Sequence, residues 1–303
     1  MAVYVVGDFL RETRLRKGYT QEEVSYGICT PASLSRIENG MQKPGRLILE
    51  KLFERLGTEN NLFNSFVSKE EMELYLEIQT LIRNVTDGDL QRIEEQIDIV
   101  DKLTKNTSEL ERQSLFWAKG ELATQKYGNN GEAMEYLMKA IQITLPDFDG
   151  INPLRNHLLT FDEITIINSI AVRHAEKNDL LTAIQLDMWL KEYMENKIVD
   201  GRMKTTKYPM IVYNLSCWFE DEKCYNEELK MANHGVDFCV KYGNLAAFPR
   251  LVLNKGVALT KLGDNDGAKK YLHQAITIFE AMQKNDTVQH IIAWCNKNCG
   301  FEI

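Results

Sequence analysis

The chain has 303 residues, 44% of them hydrophobic and 26% charged, and a net charge of −8. That length and composition suit two domains, or one domain with a repeat array, around a buried core. No window of 18 uninterrupted apolar residues is present, which speaks against a transmembrane helix, and the acidic balance excludes a general nucleic-acid coat.

The first six residues are apolar, but Asp8, Arg11 and Glu12 follow, with no basic region before them and no A-x-A site. A secretory signal is not expected, and a cytoplasmic location is. Charge is uneven along the chain. Residues 1–58 carry nine Lys/Arg against seven Asp/Glu, a net of +2, and the remainder carries −10. This fits a small basic head that touches DNA and a larger acidic part that stays off it.

Residues 7–17 (GDFLRETRLRK) place Phe9, Leu10 and Leu15 on one face and end on cations, the pattern of an amphipathic helix stopped by Gly18. In residues 20–44, Thr20 and Glu23 form a capping box. Val24, Ile28, Leu34 and Ile37 fall on the buried faces of two short crossed helices, Gly40 stops the second, and Pro44 closes the loop. Two helices over so few residues make a helix-turn-helix. Residues 46–56 (RLILEKLFERL) form one more amphipathic helix, ended by Gly57.

The pattern LRxxRxxKGxTQEEV…SRIENGxxxP resembles the DNA-binding domain of phage-repressor and Cro-type (XRE) proteins over about 50 residues. The turn departs from that family: Ile28 and Cys29 occupy the place where glycine is usual. The resemblance implies that Gln21 donates to a phosphate and that the third helix enters the major groove, presenting Thr30, Pro31, Ala32, Ser33, Ser35 and Arg36. Pro31 suits a helix start but offers no donor, and Ala32 offers only apolar contact, for example to a thymine methyl. Arg36 is the one long donor able to reach guanine, the alternatives being a phosphate contact or an internal ion pair. Asn39 and Lys43 suit the DNA backbone better than a base.

From Lys69 onward the chain is helical pattern with short breaks, and no strand alternation occurs. Proline at 146, 153, 209 and 249 marks expected helix boundaries. Two segments match each other: residues 117–144 (WAKGELATQKYGNNGEAMEYLMKAIQIT) and 253–279 (LNKGVALTKLGDNDGAKKYLHQAITIF). Gly120 precedes Ala133 by 13 and Gly256 precedes Ala268 by 12; in both, a second alanine, Ala140 or Ala275, follows 7 later. A small residue in the first helix lets its partner approach, and a Gly-rich turn closes the hairpin. This resembles the tetratricopeptide (TPR) repeat. Looser copies fit 164–190 and 208–239, a degenerate pair fits 70–104, and a capping helix fits 287–299. The expected fold is therefore all-α: a helix-turn-helix domain over 1–66, then a right-handed TPR-like solenoid of about five helix pairs over 67–303. The stretches 146–153 and 196–207 read as surface loops, the second with a gating or partner-facing role as alternative.

Aligning the repeats puts Asn168, Asn214 and Asn254 at one equivalent position. An asparagine amide pairs both the N–H and the C=O of an extended peptide, so a ladder of three would hold a peptide backbone. Asparagine is also common there in TPR sequences for packing. His174, Tyr213, Arg250, Lys261 and Glu121 lie near the same face and are candidates for side-chain selection. Arg83 is a candidate clamp for a ligand carboxylate, or an ordinary charge near a helix end.

No CxxC pair or zinc-spaced histidine pair occurs among six cysteines and five histidines, so no metal or cofactor is expected, and the cysteines read as small core residues, with a redox role as the minor alternative. No G-x-S-x-G, HExxH or phosphate loop is present, which speaks against an enzyme. An XRE head on an acidic TPR body resembles the peptide-pheromone regulators of Gram-positive bacteria named for Rap, Rgg, NprR, PlcR and PrgX, most of all the PlcR type. That resemblance implies a cytoplasmic homodimer, a short imported peptide in the TPR groove, and a pseudo-palindromic operator. The alternative is a TPR protein-interaction adaptor whose head only tethers it to DNA.

Overall fold

The structure, a computed structural model, describes residues 6–58, 68–105, 107–197 and 201–300. The expected domain boundary between residues 66 and 67 lies outside them. Among the described residues the chain is all-helical, as expected.

The head holds α1 (Val6–Lys17), α2 (Gln21–Ser25), α3 (Pro31–Glu38) and α4 (Arg46–Arg55). The Thr20–Glu23 capping box is formed in both directions. Thr30 caps α3 with Pro31 in its first turn, and Gly40 stops it at φ +70°. Leu10, Val24, Ile28, Leu34, Ile37, Leu49, Leu52, Phe53 and Leu56 form the core. Two expectations are corrected. Leu15 is exposed, and α1 buries Thr13 and Arg14 instead, because that side of the helix faces α3. The helix-turn-helix turn does carry a glycine: Gly27 takes φ +67°, and a Cβ there would stand 2.0 Å from the Thr144 carbonyl oxygen. Only glycine fits both the left-handed backbone and that approach.

The repeats follow as α5 (Lys69–Asp87) with α6 (Leu90–Leu103), a short 3-10 turn, α7 (Gln113–Tyr127) with α8 (Asn130–Gln142), α9 (Phe161–Glu176) with α10 (Leu180–Asn196), α11 (Gly201–Asp221) with α12 (Tyr225–Tyr242), α13 (Phe248–Leu262) with α14 (Asn265–Ala281), and α15 (Asn285–Asn298). Gly120 and Gly256 have the packing role read from their spacing: a Cβ would come within 3.0 Å of Leu137 in α8 and 2.8 Å of Leu272 in α14. The reading of 201–207 as loop is corrected, since α11 begins at Gly201, and 198–200 lie outside the described residues. Pro209 sits inside α11 rather than at its boundary. Proline has no N–H for the carbonyl four residues earlier, and the Thr205 carbonyl accepts from Asn244 Nδ2 instead, at 2.7 Å.

The chain divides into two compact units, one of Met1–Trp189 with Tyr193–Gly201, the other of Leu190–Glu192 with Arg202–Ile303. The first contains the head as well as the early helix pairs.

The hairpin turns share one geometry, a left-handed residue followed by the N-cap of the second helix. Glycine supplies the left-handed place at 88, 128 and 263, but Asn178 and Lys223 supply it at φ 60° and 58°. A lysine pays the Cβ–carbonyl repulsion that glycine avoids, so Lys223→Gly is expected to stabilise the second unit by about 1 kcal/mol. Thermal unfolding of the two proteins measures this.

Candidate functional site

The surface expected to face DNA is built on a buried ion pair. Arg14 Nε and Nη2 donate to the two carboxylate oxygens of Glu38 at 2.7 and 2.8 Å, and its Nη1 donates to the Tyr19 carbonyl at 2.9 Å. The hydrogen bond to Glu38 holds the guanidinium pKa above its ordinary value against the opposing effect of burial. Gln21 Nε2 donates to the same carboxylate at 2.7 Å. The start of α2 and the end of α3 are thus pinned to α1 through one carboxylate.

That frame decides what each expected DNA contact has to offer. Gln21 is half-buried, with its amide nitrogen on Glu38. The Thr30 hydroxyl accepts from Ser33 N at 3.1 Å and donates to Ser33 Oγ at 3.0 Å. Ala32 is exposed, while Ser33 and Ser35 are half-buried. Asn39 donates to the Ser35 carbonyl at 2.8 Å. Arg36 and Lys43 are exposed, and their side chains make no hydrogen bond or ion pair among the described residues. The surface therefore offers two free long cations around a mostly small, apolar leading edge.

The head is seated on the body within the first unit, and the sequence reading did not find this seat. Lys51 Nζ donates to Gln113 Oε1 of α7 and to Asp162 Oδ2 of α9, both at 2.7 Å. Arg55 Nη2 donates to Glu163 Oε1 at 2.7 Å, with both side chains at 0% exposure, and its Nη1 donates to the Tyr26 carbonyl. Glu163 is also the capping-box glutamate of α9, taking the Thr160 N–H at 2.6 Å, while Glu54 of the head takes the Phe161 N–H at 3.0 Å. Two head cations and one head carboxylate thus close the N-terminus of α9. Burial and the neighbouring Asp162 push the Glu54 carboxyl up to about 8. Burial pulls the Lys51 pKa down, but Asp162, Glu54 and Glu163 outweigh it and the net shift is upward. Tyr26 adds a hydrogen bond from its hydroxyl to Asp147 and an edge contact to His157 with ring centroids 4.6 Å apart. Leu110 and Leu158 complete the head's apolar core. No local signal marks Lys51 or Arg55 as interior, because their side-chain partners on the body lie 62 to 111 residues away.

The expected ligand residues divide between the units. In the first, Asn168 gives its amide nitrogen to both oxygens of the fully buried Asp187, at 3.0 and 3.1 Å. His174 is held between Asp179 Oδ2 at 2.9 Å and the Gly150 carbonyl at 3.1 Å. Arg83 is exposed, and Glu121 accepts from Gln125 at 3.5 Å. In the second, Asn254 is 7% exposed and donates to Ser216 Oγ at 2.6 Å and to Cys217 Sγ at 3.3 Å. The Arg250 guanidinium stands 5.7 Å from the centre of the Tyr213 ring, and burial pushes the Tyr213 hydroxyl up to about 12. Asn214, on α11, is half-buried, and Lys261 donates to Asn298 at 3.2 Å. The structure thus brings Tyr213, Arg250 and Asn254 together, with Ser216 and Cys217 as members that the sequence reading missed.

Residues 10–59 match the helix-turn-helix family model and residues 249–281 a tetratricopeptide repeat model. A region of 63 residues is 38% identical to YqaF of Bacillus subtilis strain 168, an HTH-type transcriptional regulator, covering 83% of YqaF and 20% of this chain. The chain belongs to the HTH-type transcriptional regulators. Its whole fold resembles that of Bacillus thuringiensis PlcR in complex with the peptide PapR7 and DNA, with a TM-score of 0.62 and 18% identity over 96% of this chain and 99% of that one. Apo PlcR gives 0.60 and 17%, covering 95% and 98%. The pheromone receptor Rgg2 of Streptococcus dysgalactiae gives 0.50 and 14%, covering 97% and 99%. The regulator thus has the head-and-repeat architecture that its sequence resemblance implied, and among the described residues no helix is long and apolar enough to cross a membrane.

Proposed function

We propose that this regulator binds a pseudo-palindromic operator as a homodimer in the cytoplasm, under the control of a short signalling peptide bound by its TPR-like repeats. The observation that carries the reading is the likeness of fold over nearly the whole chain, head and repeats together, to PlcR, a protein described with both a peptide and DNA. Exposed Arg36 and Lys43 on the head support the DNA half of the reading. The cluster of Tyr213, Arg250 and Asn254 supports the peptide half, because it gathers a ring, a cation and an amide on α11 and α13.

Asn254→Ala is expected to weaken peptide binding about tenfold, since one backbone group of the peptide loses its partner, worth roughly 1–2 kcal/mol. Titration calorimetry with synthetic peptides encoded beside the gene measures it, and unchanged affinity removes Asn254 from the site. Asn168→Ala is a poorer probe, because it strips a donor from buried Asp187 and destabilises the first unit directly. A cognate peptide also raises the melting temperature of the wild-type protein by mass action. An adaptor that meets its partner on outer helix faces shows no such rise.

A further inference from the structure

In each helix pair the fourth residue of the second helix is wholly withdrawn from solvent: Ile93, Ala133, Ala183, Glu228 and Ala268 are all at 0% exposure. Four are apolar, and in α12 the seat holds a glutamate. The seam around it is tight. Seven residues on, a Cβ at Gly235 would stand 2.6 Å from the methyl groups of Leu251 in α13. Neither carboxylate oxygen of Glu228 has a hydrogen-bond partner among the described residues.

The charged groups around Glu228 do not offset its burial: Lys261 favours the carboxylate, but burial and Glu220 outweigh it. From α11 it meets Glu220, a like charge. From α13 it meets Lys261, whose ammonium donates to Asn298 and lies over the Trp294 ring. On α12 itself, Glu227 and Lys230 pair with each other at 3.7 Å on the outside. Two further local conflicts fall at the same turn. Cys224 gives α12 no side-chain cap, whereas Asp89, Asn129, Asp179 and Asp264 cap the corresponding helices. Lys223, just before it, holds the left-handed backbone. Sequences keep such conflicts together where an element has to open.

We propose that the turn between α11 and α12 is a proton-controlled opening in the second unit: with Glu228 neutral the first turn of α12 stays seated, and with Glu228 ionised it leaves the seat to bring the carboxylate to water. The driving force is the cost of an unpaired carboxylate withdrawn from water. Burial, with Glu220 adding to it, pushes the Glu228 carboxyl from 4.5 up to about 8. The sign follows from that direction. Between these two values the open form has released its proton and the closed form has not, so opening becomes about tenfold more favourable per pH unit and levels off above the upper value. This goes beyond the peptide reading and does not depend on it.

The test is amide hydrogen exchange on the full-length protein, read at residues 228–231 and corrected for intrinsic rates, from about pH 5 to about pH 9. The wild type is expected to lose protection in that turn by up to tenfold per unit across the middle of the range, while Glu228→Gln keeps it flat. Glu54 titrates in the same range but is common to both proteins, so the difference isolates Glu228. Equal profiles in the two proteins overturn the proposal. Should the variant fail to fold, carboxyl carbon NMR titration of Glu228 in the wild type decides it: a midpoint in the ordinary carboxylate range overturns it, and one several units higher supports it.

Discussion

Replacing Arg55 by methionine is expected to lower the stability of the first unit by about 3–5 kcal/mol, the usual consequence of removing one member of a buried ion pair. Arg55 and Glu163 are both at 0% exposure and 2.7 Å apart, so the variant strands a carboxylate in the interior. Methionine keeps most of the volume, which confines the loss to charge and hydrogen bonding. The Tyr26 carbonyl loses its donor at the same time. In thermal unfolding the transition shifts down by on the order of 10 °C. Adding Glu163→Gln to Arg55→Met should recover part of the loss, because the amide still accepts the Thr160 N–H and no longer carries a stranded charge. A loss below about 1 kcal/mol, or strict additivity of the two substitutions, would mean that the pair contributes no more than a surface bridge.

The consequence reaches beyond stability. The helix whose N-terminus the head closes is α9, and α9 also carries Asn168 and His174. Each of these is tied to the next helix pair member or its turn, through Asp187 and Asp179. The head seat and two of the expected ligand residues of the first unit, Asn168 and His174, therefore share one helix.

What the sequence disclosed follows the range of the interaction. The Thr20–Glu23 box, Gly40 and the Gly120 and Gly256 approaches depend on neighbours within one hairpin, and their residue types are nearly obligatory. The weaker pairs were legible only through spacing, because Asn178 and Lys223 stand where glycine marks the turn elsewhere. Pro209 misled for a physical reason: a proline is a boundary signal unless a distant side chain satisfies the orphaned carbonyl, and Asn244, 39 residues away in this case, does so. The seat of the head was hidden in the same way. Lys51 and Arg55 look like the outer face of an amphipathic helix until α7 and α9 are laid against them. Arg14 looks like a surface cation until Glu38 arrives from α3. In the candidate site, the residue types were readable, but not which of their atoms were already engaged.

That engagement fixes the second large effect, which belongs to Arg36. Thr30 and Ser33 cap α3 with each other, Gln21 gives its amide to Glu38, and Asn39 closes on Ser35. On α3 this leaves the Arg36 guanidinium as the exposed long donor, with Lys43 on the loop beyond it. Arg36→Ala is therefore expected to leave stability within a few tenths of a kcal/mol of wild type. It should cost about 1–3 kcal/mol of discrimination at one base pair of each half-site, a relaxation of roughly fivefold to 150-fold. Selection of operator sequences from a random pool, by wild type and variant at one fixed salt concentration, shows whether a single position loses its preference. Uniform weakening on all sequences, with the salt slope reduced by about one unit, would instead make Arg36 a phosphate contact. In that case selectivity would rest on DNA shape and on the spacing of two heads.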